Sequence, residues 1–158
     1  REIPELTALR NASSLIRIPQ GLDVPVTKRI RRLIDSEHFR RLAKISQLGL
    51  VSLVYPGATH SRFEHSLGVY RNALLFLERL IQLPEFRVRC SPKECETFLV
   101  AALLHDVGHY AYAHAIEDLQ LQTVPRHEAL ADHFLNDPDI SNVLQEDFGF
   151  DAADLLAL

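Results

Sequence analysis

Apolar side chains recur at helical spacing along almost the whole chain. Ile30, Leu33 and Ile34 fall at i, i+3 and i+4 with polar residues around them, the pattern of one buried helix face. Ser36 is placed to cap a second helix carrying Phe39, Leu42 and Ile45, with Gly49 as its stop. Leu50 to Tyr55 is a short apolar run closed by the turn dipeptide Pro56-Gly57. It suits a small strand or the arm of a β-hairpin near residues 50-56, which periodicity alone does not decide.

Ser61-Arg62-Phe63-Glu64 reads as a capping box, a hydroxyl at N-cap and a carboxylate at N3, and predicts a long helix. From Leu67 to Ile81 that helix is apolar on more than one face, which predicts burial. Ser91-Pro92-Lys93-Glu94 is a second capping box, with proline at N1 where a missing N–H costs nothing. Its helix runs through Phe98 to Leu104 and reaches His105-Asp106 before Gly108. Another helix, with His127, Leu130, Ala131 and Phe134 on one side, should stop near Asp137-Pro138. Asp151 to Leu158 has the look of a helix beginning. The expected fold class is all-α, in a single domain.

Composition narrows the class. At 158 residues, 47% hydrophobic and 24% charged, the chain can bury a core without disulfides and is no disordered tail. Its longest apolar run, Phe98 to Leu104, is far short of the roughly 20 residues of a membrane span, so no membrane partner is expected. The opening residues carry no secretory apolar stretch, and two cysteines, Cys90 and Cys95, make no disulfide framework or common zinc pattern. A cytoplasmic setting is the expectation. The chain has no methionine, and with the helix beginning at Asp151 this suggests a truncated domain at the N-terminal side of a longer protein.

The net charge of −4 hides an asymmetry. Residues 1–89 carry 15 Lys/Arg against 8 Asp/Glu, and residues 90–158 carry 2 against 13. Seven cations crowd between Lys28 and Lys44: Lys28, Arg29, Arg31, Arg32, Arg40, Arg41 and Lys44. They form either a solvated face paired with the acidic half or a patch that attracts phosphate.

Eight histidines are the richest chemical signal, and five lie between His60 and His114. Neutral imidazole and carboxylate hold divalent transition ions, and His65 and His105-Asp106 sit at the ends of two apolar helices. Asp106, directly after an apolar run, needs a compensating metal ion or histidine if buried. His114 and Glu117 would share a helix face, so the carboxylate can hold the imidazole as a general acid. Tyr110 and Tyr112 either line a pocket or merely pack.

The longer motifs carry a resemblance. Gln47-Leu48-Gly49, the stretch from Tyr55-Pro56-Gly57 through Arg62-Phe63-Glu64-His65 to Gly68, and Leu104-His105-Asp106-Val107-Gly108-His109 are similar to the HD-domain metal-dependent phosphohydrolases. Within them they resemble the deoxynucleoside triphosphate triphosphohydrolase branch, which includes SAM-and-HD-domain proteins and bacterial dGTPases. The resemblance covers roughly residues 27 to 135 and implies an HD-domain helical bundle. It further implies that His65, His105 and Asp106 are metal ligands and that Arg62, His109 and His127 touch substrate phosphates. His114 and Glu117, with Asp106, match the catalytic positions. Gln47 and Leu48 match the pair that faces the deoxyribose, hydrogen-bonding its 3′-hydroxyl and crowding out a 2′-hydroxyl. The implied reaction is attack of activated water at the α-phosphorus, giving a deoxynucleoside and tripolyphosphate.

The implied cofactor is a divalent metal ion, and histidine-rich ligation favours Mn, Fe, Zn or Co over Mg. The implied partners are a nucleotide substrate, a nucleotide effector and further copies in a homo-oligomer. The branch's fourth ligand, an aspartate on a later helix, has no counterpart here, because Asp151 and Asp154 come too early. Ala43 stands where some relatives place an arginine for guanine recognition, so control by GTP is not supported. Two other readings stand beside this one. The first is another HD phosphohydrolase, such as a nucleotidase or cyclic nucleotide phosphodiesterase. The second is a non-catalytic module binding nucleotide or nucleic acid, which the acidity of residues 90–158 disfavours.

Overall fold

The structure is a computed structural model that describes residues 2–11, 13–120 and 123–157, and all of their side chains except those of Gln20, His114, Ala115 and Glu128. It is all-α, with ten helices and one short antiparallel hairpin among the described residues.

Helix α1 (Pro4–Arg10) starts on a proline and leads into a hairpin of β1 (Leu15–Ile18) and β2 (Leu22–Pro25). The register runs from Leu15 opposite Pro25 to Ile18 opposite Leu22. Gly21, at φ +72°, turns the chain between them, a conformation that a residue without Cβ adopts freely. The hairpin therefore lies at residues 15–25 and not near residues 50–56. In that later segment Gly49–Leu53 is a 3₁₀ turn. Leu53 and Val54 are 80% and 73% exposed. The run meets no second strand, and without one an extended segment leaves its backbone groups unpaired.

Helix α2 (Lys28–Asp35) is capped by Thr27, whose hydroxyl accepts from the Ile30 amide, and it buries Ile30, Leu33 and Ile34 completely. Ser36 caps α3 (Glu37–Arg41) as expected, but the helix gives way to a 3₁₀ turn at Leu42–Lys44, well before Gly49. Both capping boxes are formed, by Ser61 and Glu64 on α4 (Arg62–Leu80) and by Ser91 and Glu94 on α6 (Pro92–Leu104). The short α5 (Pro84–Arg89) connects them.

Helices α4 and α6 are the central pair, with Leu67, Tyr70, Leu74 and Leu77 sharing one core with Leu99, Val100 and Leu103. The apolar surplus of α4 is only half accounted for by this core, because Leu75, Phe76 and Leu80 remain exposed. Then come α7 (Ala113–Asp118), α8 (His127–Asn136) and α9 (Pro138–Val143), the last two separated at Asp137 by the expected stop. A π-helical turn at Leu144–Phe148 and α10 (Ala152–Leu156) complete the bundle. Asp151 and Asp154 are used in a capping box at the start of α10. Among the described residues no helix is long and apolar enough to cross a membrane.

Much of the basic cluster is spent inside the fold. Arg29 is buried between Glu5 of α1 and Glu96 of α6 and stacks over Phe148 at 4.4 Å. Burial works against its charge, and the hydrogen bonds it donates to the two glutamates outweigh that, so its pKa stands above the ordinary arginine value. Arg32 meets Glu146 and Asp147 at 2.8 Å each, and Arg31 bonds to Ser14. The acidic half of the chain thus supplies partners to the basic half, as in the first of the two readings. Replacing Arg29 by Met strands two buried carboxylates and is expected to lower the unfolding free energy by about 3–5 kcal/mol near neutral pH. Urea denaturation of the full-length protein checks this.

Candidate metal centre

Three of the expected residues come together where the end of α6 meets the start of α4. One donor atom from each of His65, His105 and Asp106 lies within 4.8 Å of the others. Donors around a tetrahedral ion at about 2.1 Å stand about 3.4 Å apart, so small side-chain rotations close the set on one ion. The His65 and His105 rings meet edge to face with centroids 5.3 Å apart.

The tautomer of His105 follows from its surroundings. Its Nδ1 lies 3.0 Å from the Ala102 carbonyl, which can only accept, so Nδ1 carries the proton. The other ring nitrogen, Nε2, lies 3.4 Å from the Asp106 carboxylate, on the side where an ion would sit. Burial pushes the His65 imidazole below its ordinary pKa, against the pull of Asp106, while His105, Arg62 and His60 reinforce the effect. A neutral imidazole is the form that ligates a metal.

Asp106 is buried, and the group that compensates it is Arg62. The guanidinium, itself only 4% exposed, donates from Nη1 to Oδ2 at 2.8 Å. The second oxygen, Oδ1, has His109 Nδ1 at 3.3 Å. Arg62 therefore holds the carboxylate in place before any substrate arrives.

Helix α8 closes the other side. The rings of His109 and His127 stack with centroids 4.0 Å apart. Glu117 accepts from the His127 backbone N–H at 2.8 Å and from its Nδ1 at 2.9 Å. That orients His127 through the same carboxylate that the sequence pairs with His114. His114 lies on α7, one turn before Glu117, and its side chain falls outside the described residues.

Gln47 and Leu48 reach the same place through the backbone. Ser46 bridges to Ser61, the Gln47 amide donates to the His60 carbonyl at 3.1 Å, and the Arg62 amide donates to Ile45 at 2.9 Å. This pairing lays the Gln47 backbone against the start of α4, which carries Arg62 and His65. The Gln47 side-chain Oε1 is buried with no hydrogen-bond partner among the described residues, and Leu48 is half exposed. An acceptor held dry and unpaired among the described residues is suited to a ligand hydroxyl.

With this geometry in view, the comparisons identify the family. The HD-domain profile matches residues 62–153. The chain belongs to the HD-domain family. As an HD domain it is similar over 126 residues to an uncharacterised protein of Mycoplasma pneumoniae, at 38% identity, covering 75% of this chain and 28% of the relative. It is 37% identical over 109 residues to the deoxynucleoside triphosphate triphosphohydrolase SAMHD1 homolog of Dictyostelium discoideum, covering 68% of this chain and 21% of the relative. Among solved structures, a phosphohydrolase from Bacteroides thetaiotaomicron superposes with a TM-score of 0.69 at 30% identity, over 84% of this chain and 34% of the other. The chain spans no more than about a third of the length of each of these proteins.

Three features of this HD domain escape a reading of the sequence alone. A Cβ on Gly108 would meet the His127 carbonyl oxygen at 2.1 Å and the Ala131 amide at 2.6 Å, so the glycine is what lets α8 approach the His105–His109 turn. Tyr112, left-handed at φ +60°, lays its ring against Gly49, next in sequence to Gln47-Leu48. Arg41 donates to two carbonyls of the turn. The glycine has a local signal, since it stands in the turn just past His105-Asp106, but the other two depend on distant partners. Gly108→Ala is expected to push α8 away and to lower stability by about 1–3 kcal/mol. Thermal unfolding reads the loss of stability, and a shift of the His127 imidazole resonances reads the displaced helix.

Proposed function

We propose that this HD domain is the catalytic part of a metal-dependent phosphohydrolase that cleaves deoxynucleoside triphosphates to deoxynucleoside and tripolyphosphate. The observation that supports the reading is that the Ser46–Ser61 bridge and the Gln47-to-His60 hydrogen bond tie the Gln47-Leu48 segment to the start of α4, the helix that carries His65 of the candidate cluster. A sugar-facing pair and a phosphate-reacting centre are needed side by side when the bond to be broken is at the α-phosphorus. The name carried by the Dictyostelium relative supports the same substrate class.

His65, His105 and Asp106 would hold a divalent ion, and their neutral imidazoles and single carboxylate suit Mn, Fe, Zn or Co. When bound, such an ion acidifies water and offsets charge on phosphoryl oxygens. The chain's own groups supply the rest. Arg62 keeps the Asp106 carboxylate aimed, and its remaining N–H donors would meet phosphate oxygens. His109 and His127, stacked and held by Asp106 and Glu117, donate to the same polyphosphate. His114, on the helix that carries Glu117, is the group assigned to protonate the departing 5′-oxygen. Gln47 accepts the 3′-hydroxyl at its dry Oε1, and Leu48 occupies the space a 2′-hydroxyl would need. A nucleotide effector and a homo-oligomer belong to this proposal as well.

Incubating the full-length protein with each dNTP and NTP in Mn²⁺, and separating tripolyphosphate from pyrophosphate and phosphate, tests the reading. Tripolyphosphate should appear from deoxynucleotides alone and vanish in the His105→Ala/Asp106→Ala double variant. Orthophosphate from every triphosphate would move the activity to another phosphoester. Leu48→Ala is expected to narrow the preference for deoxynucleotides over ribonucleotides by about tenfold, read as the ratio of kcat/KM values.

A further inference from the structure

We infer that Arg41 is a positioning residue for the turn that carries Asp106 and His109, and so sets the metal affinity of the site. The inference rests on the metal reading above and adds to it a group from α3 that contacts neither the ion nor the substrate. Arg41 is the last residue of α3. Its Nη2 donates to the Val107 carbonyl at 2.6 Å and its Nη1 to the His109 carbonyl at 2.7 Å. Those carbonyls bracket Gly108, directly after Asp106.

The turn needs such a partner. Its amides are already used inside it, Val107 donating to Leu104 and His109 to Asp106. Its carbonyls lie past the end of α6, where no following turn of helix supplies donors. The planar guanidinium meets two of them at once, which a single ammonium point charge does not reproduce with the same spacing.

The guanidinium is gripped on its other side as well, with its centre 4.6 Å from the ring of Phe134 on α8. It therefore lies between the metal turn and the helix that brings His127. Its Nε is buried with no hydrogen-bond partner among the described residues. An arginine free to choose its orientation would satisfy that nitrogen, so the demands of the two carbonyls decide its position. Where Arg29 and Arg32 meet carboxylates, the hydrogen-bond acceptors of Arg41 among the described residues are backbone carbonyls of the turn.

The test compares Arg41→Lys, Arg41→Gln and Phe134→Leu in the full-length protein by two readouts. Hydrogen exchange of the metal-free protein reports on the turn, and an EPR titration with Mn²⁺ reports on the ion. Both arginine variants should speed exchange across residues 106–109 about tenfold while the amides of α4 stay as protected as before. They should also raise the Mn²⁺ dissociation constant about tenfold, a range that outer partners of metal ligands commonly control. Phe134→Leu keeps the guanidinium and its two bonds, and both readouts should stay within about twofold of wild type. Equal loosening of every helix, or Mn²⁺ binding as tight as wild type with the turn unchanged, overturns the inference. If the wild-type protein takes up no Mn²⁺, the metal reading fails, while exchange of the turn still decides whether Arg41 holds it.

Discussion

The carboxylate of Asp106 leaves solvent directly after the apolar end of α6, and Arg62 meets it from the first turn of α4 at 2.8 Å. An unpaired carboxylate in that position would be destabilising by several kcal/mol, so the pair ties the end of one core helix to the start of the other. Once those ends are joined, His65, three residues along from Arg62, is brought onto His105. The metal cluster is thus a by-product of satisfying one buried charge. Arg62 also fixes the direction of the carboxylate, since it takes one oxygen and leaves the other facing His105 and His109.

Around that pair the site is assembled from segments far apart in the chain. The Ser46–Ser61 bridge brings Gln47 to α4, and Gly108 admits α8 with His127. Glu117 holds His127 from α7, and Arg41 reaches in from α3 to fasten the turn between them. Each of these contacts is short-range and specific, a hydrogen bond or a missing Cβ. The apolar core of α4 and α6 provides the rigid frame that makes such precision useful.

The uneven charge of the two halves is resolved in the same way. Arg29 and Arg32 reach across to Glu96, Glu146 and Asp147, so positive and negative segments stitch α2 to α6 and to the π-helical turn. What looked in the sequence like a phosphate-attracting patch is in good part internal bracing. The exposed pair from Arg32 contributes little by itself, whereas buried Arg29 serves two carboxylates and cannot be removed cheaply.

Most helix starts were legible because capping is local: Ser36, the Ser61/Glu64 and Ser91/Glu94 boxes, and the stop at Asp137-Pro138 act within four residues of themselves. The cluster of His65, His105 and Asp106 was legible because ligand types are few and their motif is long. The hairpin was misplaced, since strand pairing is a property of two segments, and an apolar run such as Leu50 to Tyr55 cannot announce that it has no partner. The exposed side of α4, the pairing of Glu117 with His127, and the turning of Arg41 toward backbone carbonyls were also beyond reach. By itself the sequence determined helical class, many helix starts and the residue types that meet in the candidate cluster, all consequences of local spacing and residue type. Only the tertiary structure decided which charge compensates Asp106 and which groups orient each histidine, because those outcomes depend on distances between residues tens of positions apart.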